Sequence, residues 1–438
     1  MVAQVTGGLV VTPDGVRALD VVIEGERIRE LATPGTRPRR KIDASGCYVL
    51  PGGVDPHTHL LGDVGTSTAA AAVGGTTTAI SFTLPEPGEK PAGALARARD
   101  DHVPSSHVDV ALHAYVAEPG RLTRADVDEV AELGAAGIKL FTAYPELGLQ
   151  ASDRVVYETC RAAAPLGLPV LVHCENGDVI AALVDELLAA GRTDAASFAA
   201  ARPPEVEEEA VARVLALAGL AGARLYVVHV STQGALEILR EGRRRGGEAL
   251  VEVCVHHLAL DASRAEGPDA GSYLTVPPLR SREHVEALWK GLRDGSVATV
   301  GSDHAPRPYQ PPPAEDFTGL PYGFAGIGAR LPLLLSLGRE RGLALERICE
   351  LACARPARIF GLAPRKGAIV PGADADLVLW DPDLAGTLES PPYGGVSIRG
   401  RIRSVLLRGA PVVEDGRLLG AKPAGRYVSA SGRPTPEL

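Results

Sequence analysis

Eight times between residues 49 and 304 the chain repeats one alternation, a short run of Val, Ile, Leu and Thr followed by a stretch of helical composition. The strand candidates are VLPGGVDPH (49–57), TTTAISFT (76–83), DVALHAYV (109–116), GIKLFTAY (137–144), LPVLVHCEN (168–176), ARLYVVHVS (223–231), ALVEVCVHH (249–257) and SVATVGSDH (296–304). Segments such as TRADVDEVAELGAAG and TQGALEILREGRRRGG fill the gaps with amphipathic helical character. Eight βα units predict an α/β fold, a (β/α)8 TIM barrel, in preference to an open doubly wound sheet. The two ends differ. Residues 1–48 and 367–438 alternate strand-like runs with turn signals and show no long helical period. Chain termini tend to lie close together, so one small β-sandwich built from both ends is expected beside a barrel domain spanning 49–366. The proline-rich PRPYQPPPAED (306–316) reads as a surface loop after the eighth strand, with a lid as its sharper reading.

Composition excludes several partners. Lys and Arg total 45 against 54 Asp and Glu, a net charge of −9, and no basic run is interleaved with aromatics. Nucleic acid and anionic membrane are therefore not expected partners. The N-terminus has no basic segment before its first Gly-Gly and Pro, and no later run reaches membrane-spanning length. A cytoplasmic location is expected. The six cysteines (47, 160, 174, 254, 349 and 353) contain no Cys-x-x-Cys pair, so neither a disulfide framework nor a thiolate zinc site is indicated.

In a barrel of this kind the C-terminal strand ends carry the chemistry. Here strand one ends in His57-Thr58-His59, strand four contains Lys139, strand five ends at His173, strand six at His229, and strand eight at Asp303. Alternate residues of an extended segment face the same way, so His57 and His59 can chelate one metal. One strand-end histidine is usually a hydrogen-bonded rim residue, but four with an aspartate at one end of the same barrel form a ligand set. His102, His107, His113 and His284 read as structural or exposed, and His256 and His257 as packing or supporting residues closing strand seven. Lys139 is one of only six lysines and lies in an apolar run. An ammonium cannot ligate a metal, whereas a neutral amine can add carbon dioxide and become a carbamate. Its two oxygens could bridge two ions, with His57, His59 and Asp303 on one and His173 and His229 on the other. A Schiff-base lysine is the competing reading, and it has no use for the surrounding histidines.

The motifs GGVDPHTHL, GGTTTAISFTLPEPGEKP, GIKLFTAY, VLVHCENGDVI, YVVHVST, VPPLR and GSDHAP resemble, in order, those of the amidohydrolase superfamily. The likeness is strongest to its cyclic amidohydrolases, the hydantoinases and dihydropyrimidinases, and covers nearly the whole chain. It implies metal-dependent hydrolysis of a cyclic amide or ureide C–N bond, with a small-molecule substrate and two divalent ions, zinc being the expected metal. It further implies a carboxylated Lys139 bridging them, a bridging hydroxide as nucleophile, Asp303 as proton shuttle, Tyr144 as oxyanion donor, and a homotetramer or homodimer.

Departures from the pattern fall around the substrate. The segment between His59 and Gly74 is shorter than the usual hydantoinase loop. Val276 stands before PPLR where the family usually has serine or asparagine, so only backbone contacts to substrate could survive there. Tyr322 and Gly328 occupy the places of Asn and Glu in the family's NG…GxE. Dihydroorotase is the nearest rival, supported by CVHHLALD (254–261), but the arginine it carries two positions after His59 is Leu61 here. Allantoinase is a further alternative, as is a non-catalytic assembly protein related to dihydropyrimidinase.

Overall fold

The computed structural model describes residues 2–35, 40–60, 62–266, 269–307, 316–388, 391–420 and 422–430. Eight strands pair in chain order into one parallel sheet, a nearly closed barrel. They are β1 (Gly53–Thr58), β2 (Thr76–Phe82), β3 (Asp109–Tyr115), β4 (Ile138–Phe141), β5 (Val170–His173), β6 (Leu225–Val227), β7 (Ala249–Cys254) and β8 (Thr299–Gly301). Every residue of these strands is buried, the consequence of covering a parallel sheet on both faces, and this is why they read as continuous apolar runs.

Each predicted strand is present, with two corrections. The stretch 49–57 is two strands: Tyr48–Pro51 pairs with Leu9–Thr12 and Leu377–Thr387 in a terminal sheet, and β1 begins only at Gly53. Gly52 makes the crossing possible, since a Cβ there would lie 2.1 Å from Thr77 Oγ1. The stretch 249–257 ends early, because β7 pairs with β8 only as far as Cys254 opposite Gly301. Beyond that the backbone closes on itself in the helical turn Val255–Ala259, so His256 and His257 sit on a helix and do not close the strand.

Contact density divides the chain into two units, one of residues Met1–Ser81, Asp100–Ala111 and Gly326–Leu438, the other of Phe82–Arg99 and Leu112–Ala325. The first holds the two terminal sheets. A four-stranded sheet is drawn from residues 2–43, and a seven-stranded mixed sheet combines Leu9–Thr12, Gly15–Ala18 and Tyr48–Pro51 with four strands between Leu377 and Leu418. Val5, Val21, Ile23 and Ile28 of the first pack with Val10, Val49, Leu377 and Leu406 of the second in one core, the sandwich expected from the chain ends.

The same unit buries a charge cluster. Lys366 Nζ lies 2.5 Å from Asp109 Oδ2, 2.7 Å from Asp376 Oδ2 and 3.0 Å from Asp374 Oδ2, and Arg408 pairs with Asp109. The three carboxylates have metal-ligand spacing, but the cation among them is lysine. All six cysteines are free and buried. Among the described residues no helix is long and apolar enough to cross a membrane.

Candidate active site

The unit containing residues 112–325 carries Lys139 within β4, Tyr144 three residues past its end, His173 as the last residue of β5, and His229 and Asp303 each two residues past β6 and β8. Three of these occupy left-handed backbone, Tyr144 at φ 65°, His229 at φ 40° and Asp303 at φ 46°. Only Arg408 and Asp415 share that property among the described non-glycine residues. Such backbone costs about 1–3 kcal/mol per residue and persists where the surroundings over-determine it. They do so here: the Tyr144 carbonyl accepts from the N–H groups of Leu147 and Leu149, both at 3.2 Å, and the His229 N–H donates to Glu252 Oε1 at 3.0 Å.

His173 and His229 converge, with His173 Nδ1 2.9 Å from His229 Nε2. The other ring nitrogen of His173, Nε2, lies 2.9 Å from Glu175 Oε2. Glu175 is fully buried, and Arg202 Nη1 donates to the same oxygen at 2.8 Å. Burial alone would raise the Glu175 carboxyl, but Arg202 and His173 outweigh it and hold it below its ordinary value. A carboxylate can only accept, so Nε2 of His173 carries the proton and Nδ1 presents its lone pair toward His229. Burial also lowers the His173 pKa despite Glu175, leaving a neutral ring near neutral pH.

Lys139 is enclosed. Its Nζ stands 5.0 Å from the Phe82 ring centroid and 4.8 Å from that of Phe141, and no described residue accepts a hydrogen bond from it or pairs with it. Burial brings its pKa down to about 8, partly opposed by Asp303 and Glu252. Burial raises the Tyr144 phenol well above its usual value, so it is a proton donor near neutral pH. Its ring lies 5.2 Å from that of His173 and stacks with Tyr322 at 6.4 Å. These two tyrosines, with Ile180, Phe198, Arg202 and Phe317, line a cavity of about 380 Å³.

In the other unit His57 lies within β1 and His59 just beyond it, one buried and one partly exposed, with ring centroids 5.5 Å apart. The His57 N–H donates to Asp55 Oδ1 at 3.3 Å, and Asp55 faces Arg330 at 3.4 Å. Val276 is buried on a segment tied down by Arg307, which donates to the carbonyls of Leu274 and Gly323. Tyr322 is 38% exposed, open enough to meet a ligand. Leu61 and residues 308–315, most of the loop 306–316, lie outside the described residues.

Sequence reasoning passed over Glu175, Arg202 and Glu252. Glu175 was findable, two positions beyond a strand-end histidine and so on the same face. Glu252 was findable by the argument applied to Lys139, as a charge inside an apolar strand. It accepts from the Tyr226 hydroxyl at 2.7 Å as well as from His229. Arg202 gives no local signal. Cys254 and His256 also bring ligand atoms within 4.8 Å of Asp303, placing the histidine of the helical turn beside the site.

This donor set suits divalent metal ions. Imidazole nitrogens of His173 and His229 converge, a carboxylate stands behind one of them, and a buried amine has no hydrogen-bond partner among the described residues. A parallel barrel with such strand ends defines a metal-dependent hydrolase. The Amidohydrolase family model matches residues 48–412, and the chain belongs to that family. It is 37% identical to a D-hydantoinase of Geobacillus stearothermophilus, covering 98% of this chain and 96% of the relative, and 34% identical to one of Ralstonia pickettii, covering 97% and 98%. The crystal structure of dihydropyrimidinase from Brevibacillus agri superposes with a TM-score of 0.93 at 36% identity, covering 98% of this chain and 99% of that one.

Proposed function

We propose that the protein opens a ring C–N bond beside a carbonyl in a neutral cyclic amide or ureide of the hydantoin and dihydropyrimidine type. The single observation that carries this reading is Lys139, a desolvated amine with no hydrogen-bond partner among the described residues, near two convergent imidazoles, in a chain alike over 98% of its length to a D-hydantoinase. A neutral lysine amine adds carbon dioxide and releases a proton, turning an expensive buried group into a bidentate anionic ligand. His57, His59, His173, His229, carboxylated Lys139 and Asp303 would hold two divalent ions, zinc by expectation. Bound there, the ions supply Lewis acidity and a water acidic enough to attack near neutral pH.

The chain's own groups do the rest. Asp303 takes the proton of the attacking water and delivers it to the departing ring nitrogen. The Tyr144 O–H donates to the carbonyl oxygen as negative charge develops there, from backbone already held in place. Tyr322 and the backbone at Val276 border the ring. Leucine at position 61 offers no cation to a ring carboxylate, so neutral rings are favoured over dihydroorotate. A homodimer or homotetramer in the cytoplasm completes the reading.

The test is kcat/KM of metal-loaded protein on hydantoin, dihydrouracil, allantoin and dihydroorotate at one pH. Neutral rings should be opened measurably and dihydroorotate much more slowly. A clear preference for dihydroorotate overturns the substrate assignment.

A further inference from the structure

Behind His173 stands an arrangement that the reaction itself does not consume. Glu175 Oε2 is held from two sides, 2.9 Å from His173 Nε2 and 2.8 Å from Arg202 Nη1. Glu175 follows His173 by two residues, and its backbone is fixed as well. Its N–H donates to Thr142 Oγ1 at 3.2 Å, and that hydroxyl donates to the Glu175 carbonyl at 2.8 Å. Arg202 is anchored in turn, its carbonyl accepting from Arg280 Nη1 at 2.6 Å. Arg280 also donates to Ser231 Oγ at 3.0 Å and faces Glu207 at 3.3 Å. The Arg202 guanidinium lies 5.7 Å from the Tyr144 ring centroid and 5.4 Å from that of Phe198. All of these residues except Phe198 carry charged or polar groups, gathered inside the unit.

We infer that Glu175 and Arg202 are positioning residues for metal binding, orienting His173 so that Nδ1 is the ligating nitrogen and setting how tightly the site holds its ion. The inference rests on the metal-dependent reading above, but not on which ring is opened. Three consequences give it content. Glu175 fixes the tautomer, because an acceptor at Nε2 leaves the lone pair on Nδ1. Arg202 fixes the carboxylate, because its Nη1 donates at 2.8 Å to the oxygen that faces His173 and holds it aimed there. And since Arg202 also walls the cavity beside Tyr144, the group that steadies a metal ligand is touched by whatever fills that cavity.

A rival role is direct ligation by Glu175, whose Oε1 is buried with no hydrogen-bond partner among the described residues. The two roles predict opposite effects of removing Arg202. A positioning carboxylate loses its aim and the metal is held more weakly; a ligating carboxylate is released from a competing cation and the metal is held more tightly.

The experiment is the zinc dissociation constant of the full chain, measured by competition with a chromophoric chelator, for wild type, Glu175→Gln, Glu175→Ala, Arg202→Lys and Arg202→Ala. Removal of a supporting group of this kind typically costs about 10–100-fold in metal affinity. Glu175→Ala and Arg202→Ala should fall in that range, and the conservative Glu175→Gln and Arg202→Lys should lie between them and wild type. Lys366→Met, which weakens the fold in the other unit, should leave the constant at the wild-type value and separates positioning from general loss of stability. If Glu175→Ala fails to fold, Glu175→Gln with Arg202→Lys carries the test. Wild-type affinity in both Glu175 variants overturns the inference, as does tighter binding in Arg202→Ala. A wild-type protein that binds no zinc overturns it as well. Tight zinc binding with the expected losses, but without ring opening, supports it while refuting the substrate reading.

Discussion

Lys366→Met removes a cation and leaves its surroundings otherwise filled. In the native protein the ammonium is fully buried among Asp109, Asp374 and Asp376, each oxygen within 3.0 Å. Burial pulls the Lys366 ammonium down, but Asp376, Asp109 and Asp374 outweigh it and hold it above the ordinary lysine value. A basic group raised in this way contributes stability that is fully present below its unfolded value and fades only at strongly alkaline pH. Taking one partner out of a buried ion cluster costs about 3–5 kcal/mol, here because Asp376 is left buried without a cation while Asp109 keeps Arg408 and Asp374 keeps Arg365. Unfolding entropy near 2.1 cal/mol/K per residue, taken over this chain, gives roughly 0.9 kcal/mol per degree, so Tm should fall by about 3–6 °C at pH 8. The deficit should shrink toward pH 5. Without the lysine, the Asp376 carboxyl titrates at higher pH than in the unfolded chain, and its protonation on acidification relieves the strain that its charge imposes. Asp376 already leans that way, raised by burial even with Lys366 beside it. Scanning calorimetry of both proteins at pH 5, 6.5 and 8 measures this. A shift below 1 °C at pH 8, or one of equal size at all three values, refutes the reasoning.

Other outcomes follow from the site. Lys139→Ala should lose metal and turnover together, with partial return of both in a high concentration of a small carboxylate; normal metal content and turnover would rule out the bridging role. Asp303→Asn should lower kcat by about 10²–10⁴ with KM much less affected, since proton transfer exists only along the reaction path, and metal-replete steady-state kinetics decides it. Tyr144→Phe should cost about 10²–10³ in kcat, the usual price of one oxyanion donor, and near-normal turnover would reduce the residue to packing.

The barrel was legible because its strands are buried on both faces, so that eight apolar runs stand out against polar helices. His57, His59, Lys139, His173, His229 and Asp303 could be proposed as ligands from the sequence because they stand in or next to strand ends of one barrel. What sequence could not show depends on distant parts of the chain. Arg202 reaches Glu175 across 27 positions, a pairing with no local signature. The left-handed backbone of Tyr144, His229 and Asp303 is equally silent, because none is glycine; Tyr144 is held by the N–H groups of Leu147 and Leu149, and His229 by Glu252, 23 positions away. The end of β7 at Cys254 was missed for a related reason: its partner strand stops, although its own composition continues.

The six enclosed thiols make the molecule its own reporter of motion. A sulfhydryl with no path to solvent reacts with a disulfide reagent only when the structure around it opens, so each labelling rate measures the free energy of a particular breathing event. Cys47 lies in the core shared by the two terminal sheets, whereas Cys174 directly follows the last residue of β5. Labelling resolved by mass spectrometry therefore clocks the opening of each region separately, without adding a probe or changing a residue, and Cys174 does so from one position beyond His173.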